Sequence, residues 1–370
     1  MNAPSLAQLE ARLRPLAVST LPSSALVKMY SEGRIYFLKK FMSERCAPAL
    51  VPQRLERICW GLNFRSPIFN AAGMFKNGEA YELTAAQGAG AYLCGTTTAN
   101  ARAGNSKDGT RLAFAPYPRS GAASNWLGLP NDGDRAVAAR LKALKKVPGC
   151  PIGASLMGSP DLAGEERVQK LIDGLHCFAD SGVDFLELNE SCPNTADGKP
   201  QEGELRARLE MIAEQFLQKR RAHGKPPVIV KFSNDTELSQ VPELVTLVVE
   251  LGFDGLNFGN TSTNYAKHRA MIHSSEGKLF DYFTSTFGGG VSGRPLREGS
   301  LALIKRASEH LKSAPPAHEF HLIRTGGIET AEDVRASLEA GASLVEWFTA
   351  YFEQFSAHGH GLYSHLYDSL

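Results

Sequence analysis

The chain has 370 residues, and its 40 basic and 39 acidic side chains leave a formal net charge of only +1 at pH 7. This balance provides no basic footprint for nucleic acid, and it suits a small neutral or anionic substrate. The length accommodates one barrel domain of about 250 residues with insertions. No apolar run reaches the roughly 18 residues of a membrane-spanning helix. The first residues do not show the charged segment followed by an apolar segment that is typical of a signal peptide.

The cysteines and histidines indicate a reducing compartment and no metal site. Two histidines flank a glycine near the end, at His358 and His360, in a polar segment that is typical of a solvated tail. The cysteines show neither CxxC nor Cys/His spacing, so we expect free thiols on the cytoplasmic side. They are Cys46, Cys59, Cys94, Cys150, Cys177 and Cys192.

The first residues differ from the rest, and we predict a helical N-terminal extension over residues 1–55 followed by a barrel domain over residues 56–370. Residues 24–42 combine an apolar set with Lys28, Arg34, Lys39 and Lys40. Such a basic amphipathic stretch fits peripheral contact with a membrane surface. The alternative is a helical cap on the barrel with its lysines in water.

From about residue 66, short apolar runs alternate with longer amphipathic segments, which is typical of parallel βα units. The predicted strands are residues 67–71, 91–95, 151–156, 184–189, 227–232, 254–258, 320–325 and 343–349. The predicted helices are residues 79–87, 134–146, 165–180, 204–222, 238–251, 300–312 and 331–340. Eight such strands predict a closed (β/α)8 TIM barrel. An open doubly wound sheet would carry a GxGxxG turn after its first strand, and none follows here.

Two long insertions interrupt the repeat, over residues 97–133 and 260–296. Each follows the carboxyl end of a strand, where barrels build their active sites. Long loops of this kind in a compact domain are usually functional. We therefore expect both insertions to cover the catalytic face.

Glycines and polar residues mark the ends of several predicted strands. Strand seven ends in Thr325-Gly326-Gly327-Ile328, a place where barrels bind phosphate, although a tight turn needs glycine without any ligand. Lys231 lies inside a strand, where burial favours an anionic or electron-rich partner such as a reduced flavin. The alternative for Lys231 is an outward position between strand and helix.

The segment after strand four reads Asn189-Glu190-Ser191-Cys192-Pro193-Asn194-Thr195. A cysteine there, between two amides and beside a rigid proline, is suited to move a proton at a bound substrate. An isolated cysteine is more often an inert small hydrophobic residue.

This segment resembles the catalytic segment of dihydroorotate dehydrogenases, and the resemblance extends over residues 61–352. Further motifs occur in the same order as in that family. They are Ala71-Ala72-Gly73-Met74-Phe75-Lys76-Asn77-Gly78, Gly95-Thr96, Asn125-Trp126-Leu127-Gly128-Leu129, Val230-Lys231, Asn260-Thr261, Gly290-Val291-Ser292-Gly293-Arg294-Pro295-Leu296 and Gly326-Gly327-Ile328. The resemblance implies FMN as cofactor and the oxidation of dihydroorotate to orotate in pyrimidine biosynthesis.

The resemblance also implies the roles of individual residues. Cys192 would be the base that takes a proton from substrate C5 while a hydride leaves C6 for flavin N5. The implied substrate-binding residues are Lys76, Asn125, Leu127, Gly128, Leu129, Asn189, Asn194, Asn260 and Thr261. The implied cofactor-binding residues are Ala72, Gly73, Lys76, Thr96, Ser155, Asn189, Lys231, Gly259, Gly293, Gly327, Phe348 and Thr349.

Some of these features resemble one class of the family and some resemble the other. Lys76, the Ser292-to-Leu296 loop and the N-terminal extension resemble the membrane-associated class that uses a quinone. Cys192 resembles the soluble class, and the second arginine of the family's Pro-Arg-x-Phe-Arg segment is absent around Arg111. We therefore expect a quinone as electron acceptor, with fumarate or NAD+ as the alternatives.

Two other functions remain open at this stage. One is an FMN barrel that acts on another dihydropyrimidine with a nicotinamide partner, although no GxGxxG loop is visible. The other is a barrel that binds FMN without catalysis, which leaves Asn189, Asn194 and Cys192 unexplained. The neighbouring Glu190 would raise the pKa of a thiol beside it, unless strand alternation turns it toward the helices.

Overall fold

The computed structural model describes residues 5–191, 202–221 and 226–370. Eight parallel strands form the central sheet. They are β1 Ile68–Asn70, β2 Tyr92–Thr97, β3 Ile152–Leu156, β4 Phe185–Asn189, β5 Val228–Ser233, β6 Gly255–Asn260, β7 His321–Thr325 and β8 Leu344–Trp347. Their order is β1-β8-β7-β6-β5-β4-β3-β2.

The sheet closes between β1 and β2. The side-chain amide of Asn70 donates to the carbonyl of Leu93 at 2.7 Å and accepts from the Leu93 N–H at 3.3 Å. After the end of β1, Phe75 pairs with Cys94 of β2 in a parallel bridge. The predicted closed (β/α)8 barrel is therefore confirmed.

Helices surround the barrel, and two precede it. They are α1 Leu6–Thr20, α2 Ser23–Phe41, α3 Tyr81–Gln87, α4 Asp134–Lys142, α5 Gly164–Ser181, α6 Glu202–Ile212, α7 Gln218–Arg221, α8 Val241–Glu250, α9 Tyr265–Arg269, α10 Gly277–Thr286, α11 Arg297–Ser313, α12 Ala331–Glu339, α13 Thr349–His358 and α14 Leu362–Tyr367. A π-helical turn, Ala213–Leu217, joins α6 to α7. Throughout the described ranges, no helix combines the length and the apolar character needed to cross a bilayer.

The barrel interior changes from apolar to polar along the strands. Because side chains alternate between the two faces of a strand, every second residue points inward. One buried cluster at the amino ends includes Phe69, Leu93, Phe185, Ile229 and Ile323, and the hairpin of Arg57–Cys59 and Leu62–Phe64 packs against it. Two residues further along β4 and β5, the inward positions are Glu187 and Lys231. A polar layer therefore lies directly above the buried apolar cluster.

The two insertions meet in one small antiparallel sheet. Strand Ala122–Trp126 lies between Ala113–Tyr117 from the first insertion and Gly290–Gly293 from the second. Helix α2 packs on this sheet, and the Phe114 N–H donates to the Ser31 hydroxyl at 3.1 Å. The insertions are thus ordered structure beside the carboxyl ends of the strands, as expected from their positions.

Helix α2 also joins the main hydrophobic core. Phe41 is only 2% exposed and stacks on Phe75 with ring centroids 6.1 Å apart. Helix α1 connects to the barrel through Arg14, which pairs with Glu353 of α13 at 2.8 Å.

The second predicted helix of the barrel runs to residue 146, but α4 ends at Lys142. It ends early because the chain turns into β3 and the Val147 N–H donates to the Tyr81 hydroxyl at 2.8 Å.

Candidate active site

A buried lysine and two glutamates form the centre of the polar layer. The Lys231 ammonium lies 3.3 Å from a carboxylate oxygen of Glu187 and 3.0 Å from one of Glu346. Burial lowers the pKa of Lys231, but the two carboxylates outweigh burial, and the pKa is raised above its ordinary value. Lys231 therefore points inward with its charge retained, and it lines the cavity at the barrel mouth.

The two glutamates differ in their other hydrogen bonds. Glu187 accepts from the Ser155 hydroxyl at 2.9 Å and from the Asn257 amide at 2.8 Å. Glu346 accepts from the Thr325 hydroxyl at 2.8 Å. Burial and the nearby negative charge of Glu187 raise the pKa of Glu346. One lysine thus faces two carboxyl groups, and the pKa of Glu346 is raised despite this cation.

Above this layer, two asparagines at the ends of β4 and β6 are bonded to each other. The Asn260 amide donates to the Asn189 carbonyl oxygen at 3.1 Å, and the Asn189 amide donates to the Thr96 hydroxyl at 3.0 Å. The Thr261 N–H donates to the Asn260 side chain at 2.9 Å. Because the amides hold one another, their remaining donors and acceptors are fixed in orientation before any ligand enters.

A glycine at the mouth lies beside the predicted substrate-binding residue Lys76 and an aromatic ring. Gly73 adopts a positive φ of 96°, and a Cβ built on it would lie 3.8 Å from the Lys76 ammonium and 3.6 Å from the Phe348 ring. A side chain at this position would therefore fill space between Lys76 and Phe348. Only glycine leaves a flat surface there for a planar ligand.

The opposite end of the cavity has the properties of a phosphate site. The turn after β7 contains Gly326 and Gly327, and a Cβ on Gly327 would approach the Arg297 Cα at 2.4 Å. Helix α13 begins at Thr349, whose hydroxyl donates to Ser292 at 2.9 Å. The amino end of a helix favours a bound anion. The sequence prediction placed Thr349 at the end of a strand, whereas the strand ends at Trp347 and Thr349 starts this helix.

Most of the predicted site residues line this one cavity. They are Ala72, Gly73, Lys76, Thr96, Asn125, Leu127, Leu129, Asn189, Lys231, Gly259, Asn260, Thr261, Gly293, Gly327, Phe348 and Thr349. Ser155 lies one step deeper, where its hydroxyl bonds Thr96 at 3.0 Å, and Gly128 is also outside the lining. A Cβ on Gly128 would approach the Asn105 side chain at 2.1 Å, so packing alone explains this glycine. Cys192 and Asn194 lie outside the described residues.

Glu190 is turned away from the site, as strand alternation suggested. Its carboxylate accepts a hydrogen bond from Arg208 of α6 at 2.9 Å. The pair is largely buried, with 18% of the Arg208 side chain and 5% of the Glu190 side chain exposed. The negative charge that would disfavour a thiolate at position 192 is therefore balanced by a guanidinium.

Sequence reasoning missed several residues of the cavity and of the polar layer beneath it. In that layer, Glu187 lies two residues before Asn189 on β4, and this spacing places both side chains on the inward face. Arg34 of α2 lines the cavity itself, although its helix was interpreted as a membrane-contact surface or as a cap on the barrel. The other lining residues outside the predicted set are Ala71, Phe114, Asn234, Ser292, Leu296, Thr325, Gly326, Ile328, Glu329, Glu346, Trp347 and Ala350.

On the barrel side of the cavity, two buried polar atoms have no hydrogen-bond partner. They are the Thr261 hydroxyl and the side-chain oxygen of Asn234. Buried polar atoms rarely lack a partner, so such atoms in a cavity wall indicate a ligand with complementary groups. Together with the glycine surface at Gly73 and the helix end at Thr349, they fit a planar polar ring system that bears a phosphate, as FMN does.

Several known proteins are similar to this chain in sequence and in fold. The dihydroorotate dehydrogenase family matches residues 54–360. A dihydroorotate dehydrogenase (quinone) from Halobacterium salinarum is 31% identical over 303 residues, which cover 80% of this chain and 76% of that protein. One from Clavibacter michiganensis is 31% identical over 343 residues, which cover 92% and 90%. A crystal structure of DHODH from Eimeria tenella with ferulenol has a TM-score of 0.75 at 22% identity, covering 91% of this chain and 89% of that one.

Proposed function

Since this chain belongs to the dihydroorotate dehydrogenase family, we propose that it oxidises dihydroorotate to orotate with FMN as cofactor and a quinone as electron acceptor. The observation that carries this proposal is the bonded pair Asn189 and Asn260 above the buried Lys231. Amides in fixed orientation match the alternating donors and acceptors of a pyrimidine ring. A retained cation beneath them stabilises a ring system that gains negative charge.

The residues divide between the two ends of the cavity. Thr96 and Lys231 would contact the flavin ring, and Gly293, Gly327 and Thr349 would hold its phosphate. When bound, FMN would accept the hydride that leaves substrate C6. Lys76 would pair with the substrate carboxylate, which favours a substrate that binds as an anion.

We place the base at Cys192, directly after the described end of this segment. A thiol with a pKa near 8.5 suits proton removal close to neutral pH. Its thiolate would take the proton from substrate C5 while the amides of Asn189, Asn194 and Asn260 hold the ring. The ion pair of Glu190 with Arg208 supports this role, because it removes the repulsion that a free carboxylate would exert.

For the acceptor, both sequence relatives are dihydroorotate dehydrogenases (quinone), which supports a quinone here. The two N-terminal helices also present an apolar surface. Leu6, Leu9, Leu13 and Leu16 of α1 are 44%, 45%, 54% and 61% exposed, and their spacing places them along one side of the helix. Such a stripe, together with exposed lysines on α2 such as Lys28, suits peripheral contact with a membrane. The sequence expectation had placed this contact on residues 24–42 alone.

An anaerobic titration of the purified protein tests the function. We expect a yellow protein whose flavin band is bleached by dihydroorotate, and whose turnover with a short-chain quinone exceeds that with fumarate or NAD+. A flavin that is reduced by NADPH and not by dihydroorotate would favour the alternative reductase. Absence of a flavin band after gentle purification would contradict the cofactor.

A further inference from the structure

Arg34 of helix α2 occupies a position where the helix otherwise presents apolar or small side chains to the barrel. Residues 27, 31, 34, 38 and 41 recur at helical spacing, so they share one face. Val27, Ser31 and Phe41 are 1%, 0% and 2% exposed, and Leu38 packs against the main core. Arg34 is the one charged residue of this face, and its side chain lines the cavity.

The Arg34 side chain is partly exposed, but part of its guanidinium is buried. Its Nε is buried without a hydrogen-bond partner, and within residues 5–191, 202–221 and 226–370 no carboxylate pairs with it. Burial alone lowers the pKa of Arg34 to about 10. The side chain is therefore still a cation near neutral pH. A buried donor without a partner is costly, and this cost indicates a ligand that supplies an oxygen atom when it binds.

Three other cations in or beside this cavity pair with carboxylates, unlike Arg34. Lys231 is held by two glutamates, and Arg294 and Arg297 both pair with Glu329 beside the phosphate end. These side chains are already oriented by the protein. Arg34 approaches from outside the barrel instead, from the helix that packs on the sheet of the two insertions next to Phe114.

We propose that Arg34 binds the carbonyl oxygen of the electron acceptor and determines its affinity. This inference rests on the proposed function, because it names a residue of the acceptor half of that reaction. The net reaction converts dihydroorotate and quinone into orotate and quinol, so two electrons and two protons leave the pyrimidine and reach the two quinone oxygens. Arg34 donates hydrogen bonds to the oxygen on which negative charge develops, and it transfers no proton itself because its pKa is too high.

The test separates the acceptor from the pyrimidine. Arg34→Met is compared with Arg12→Met, which removes an exposed arginine from α1. Each enzyme is reduced chemically with dithionite, without dihydroorotate, and its reoxidation by increasing concentrations of a ubiquinone with a short tail is followed by stopped flow. Loss of a charged hydrogen bond weakens binding roughly tenfold to a hundredfold. We expect this increase in half-saturating quinone for Arg34→Met and wild-type values for Arg12→Met.

Further measurements distinguish a binding role from a structural one. We expect Arg34→Met to keep its thermal midpoint or raise it, because an unpaired buried donor is removed, and Arg34→Lys to bind quinone with intermediate affinity. Flavin content and the rate of flavin reduction by dihydroorotate should stay at wild-type values. Wild-type quinone dependence in Arg34→Met would overturn the inference, as would a loss of FMN or a raised KM for dihydroorotate. Failure of dihydroorotate to reduce the wild-type flavin would overturn only the proposed function.

Discussion

The two sides of the cavity differ in how their polar groups are bonded. At the barrel mouth, Lys231, Glu187, Glu346 and the amides form a continuous network in which nearly every donor has an acceptor. On the side of the N-terminal helices, Arg34 has no partner and the leucines of α1 are exposed. The first side is therefore largely organised before a ligand enters, although the Thr261 hydroxyl and the Asn234 side-chain oxygen are unpaired there. The second side leaves polar and apolar groups for a ligand or a membrane to satisfy.

This difference indicates that the two half-reactions depend on separate parts of the molecule. A fixed network costs no reorganisation when charge develops, which suits the chemical step on the pyrimidine. A site that is incomplete without its ligand suits an acceptor that enters and leaves in every cycle. Substitutions on the barrel side should therefore affect folding and flavin reduction, and those on the helical side should affect the acceptor and the membrane.

The largest effect is expected for Lys231→Met. This change leaves Glu187 and Glu346 buried without their cation, and the loss of one partner from a buried ion pair costs about 3–5 kcal/mol. We expect urea unfolding to show a loss of this size. The matched variant Lys231→Met/Glu346→Gln removes one carboxylate as well and should recover part of the stability. An unchanged unfolding free energy in the single variant would contradict the network.

The next effect concerns the base. Cys192→Ala should keep its FMN but reduce it with dihydroorotate at least about 10²-fold more slowly, as is typical when a general base is lost. Cys192→Ser should recover part of the rate at high pH, because a hydroxyl is a poorer base near neutrality. Stopped-flow absorbance of the flavin measures both, with Cys177→Ala on α5 as the control. Flavin reduction at the wild-type rate in Cys192→Ala would show that Cys192 is not the base and serves only in packing.

The inward position of Lys231 could be predicted from the sequence, and the reason is strand periodicity. In a buried parallel strand every second residue points inward, so Asn189 and Lys231 at their strand ends were predicted to face the site. The same rule applies to Glu187 and Glu346, but a glutamate in an apolar strand shows no partner in the sequence. The pairing of Glu187, Lys231 and Glu346 depends on which strands are neighbours across the barrel, and that is a property of closure.

The N-terminal helices could be predicted less well. A basic amphipathic sequence fits a membrane surface, a cap or a wall of the site, because a long basic side chain can extend either into water or along an apolar surface. The composition of residues 24–42 therefore does not indicate that Arg34 turns inward while Lys28, Lys39 and Lys40 remain exposed. The helical phase set by the buried Val27 and Phe41 decides it, and that phase becomes visible only with the packing of α2.

A smaller effect is expected for the apolar stripe of α1. Leu13→Ser/Leu16→Ser should weaken binding to vesicles of mixed anionic lipids, because each half-exposed leucine contributes about 1 kcal/mol when buried in lipid. The combined loss corresponds to a roughly thirtyfold weaker association. Co-sedimentation measures it, with Leu50→Ser as a control because Leu50 is 93% exposed but lies outside both helices. Equal sedimentation of the double variant and the wild type would exclude α1 as the contact.

The smallest effect expected is a pH dependence of stability from Glu346. Burial and the charge of Glu187 raise its pKa, so in the window between the ordinary glutamate pKa of about 4.3 and the raised value the folded protein binds more protons than the unfolded chain. The unfolding free energy should therefore fall as pH rises through this window, by at most about 1.4 kcal/mol per pH unit, and level off above it. The raised pKa of Lys231 has no influence there, because its contribution is complete below about pH 10 and is lost only above it.

Urea unfolding between pH 5 and 8, with FMN in excess, should show this slope in the wild type and in the exposed control Glu298→Gln, but not in Glu346→Gln. A slope that persists in Glu346→Gln would assign the proton to another group, and the barrel would then hold both glutamates as carboxylates around a single lysine.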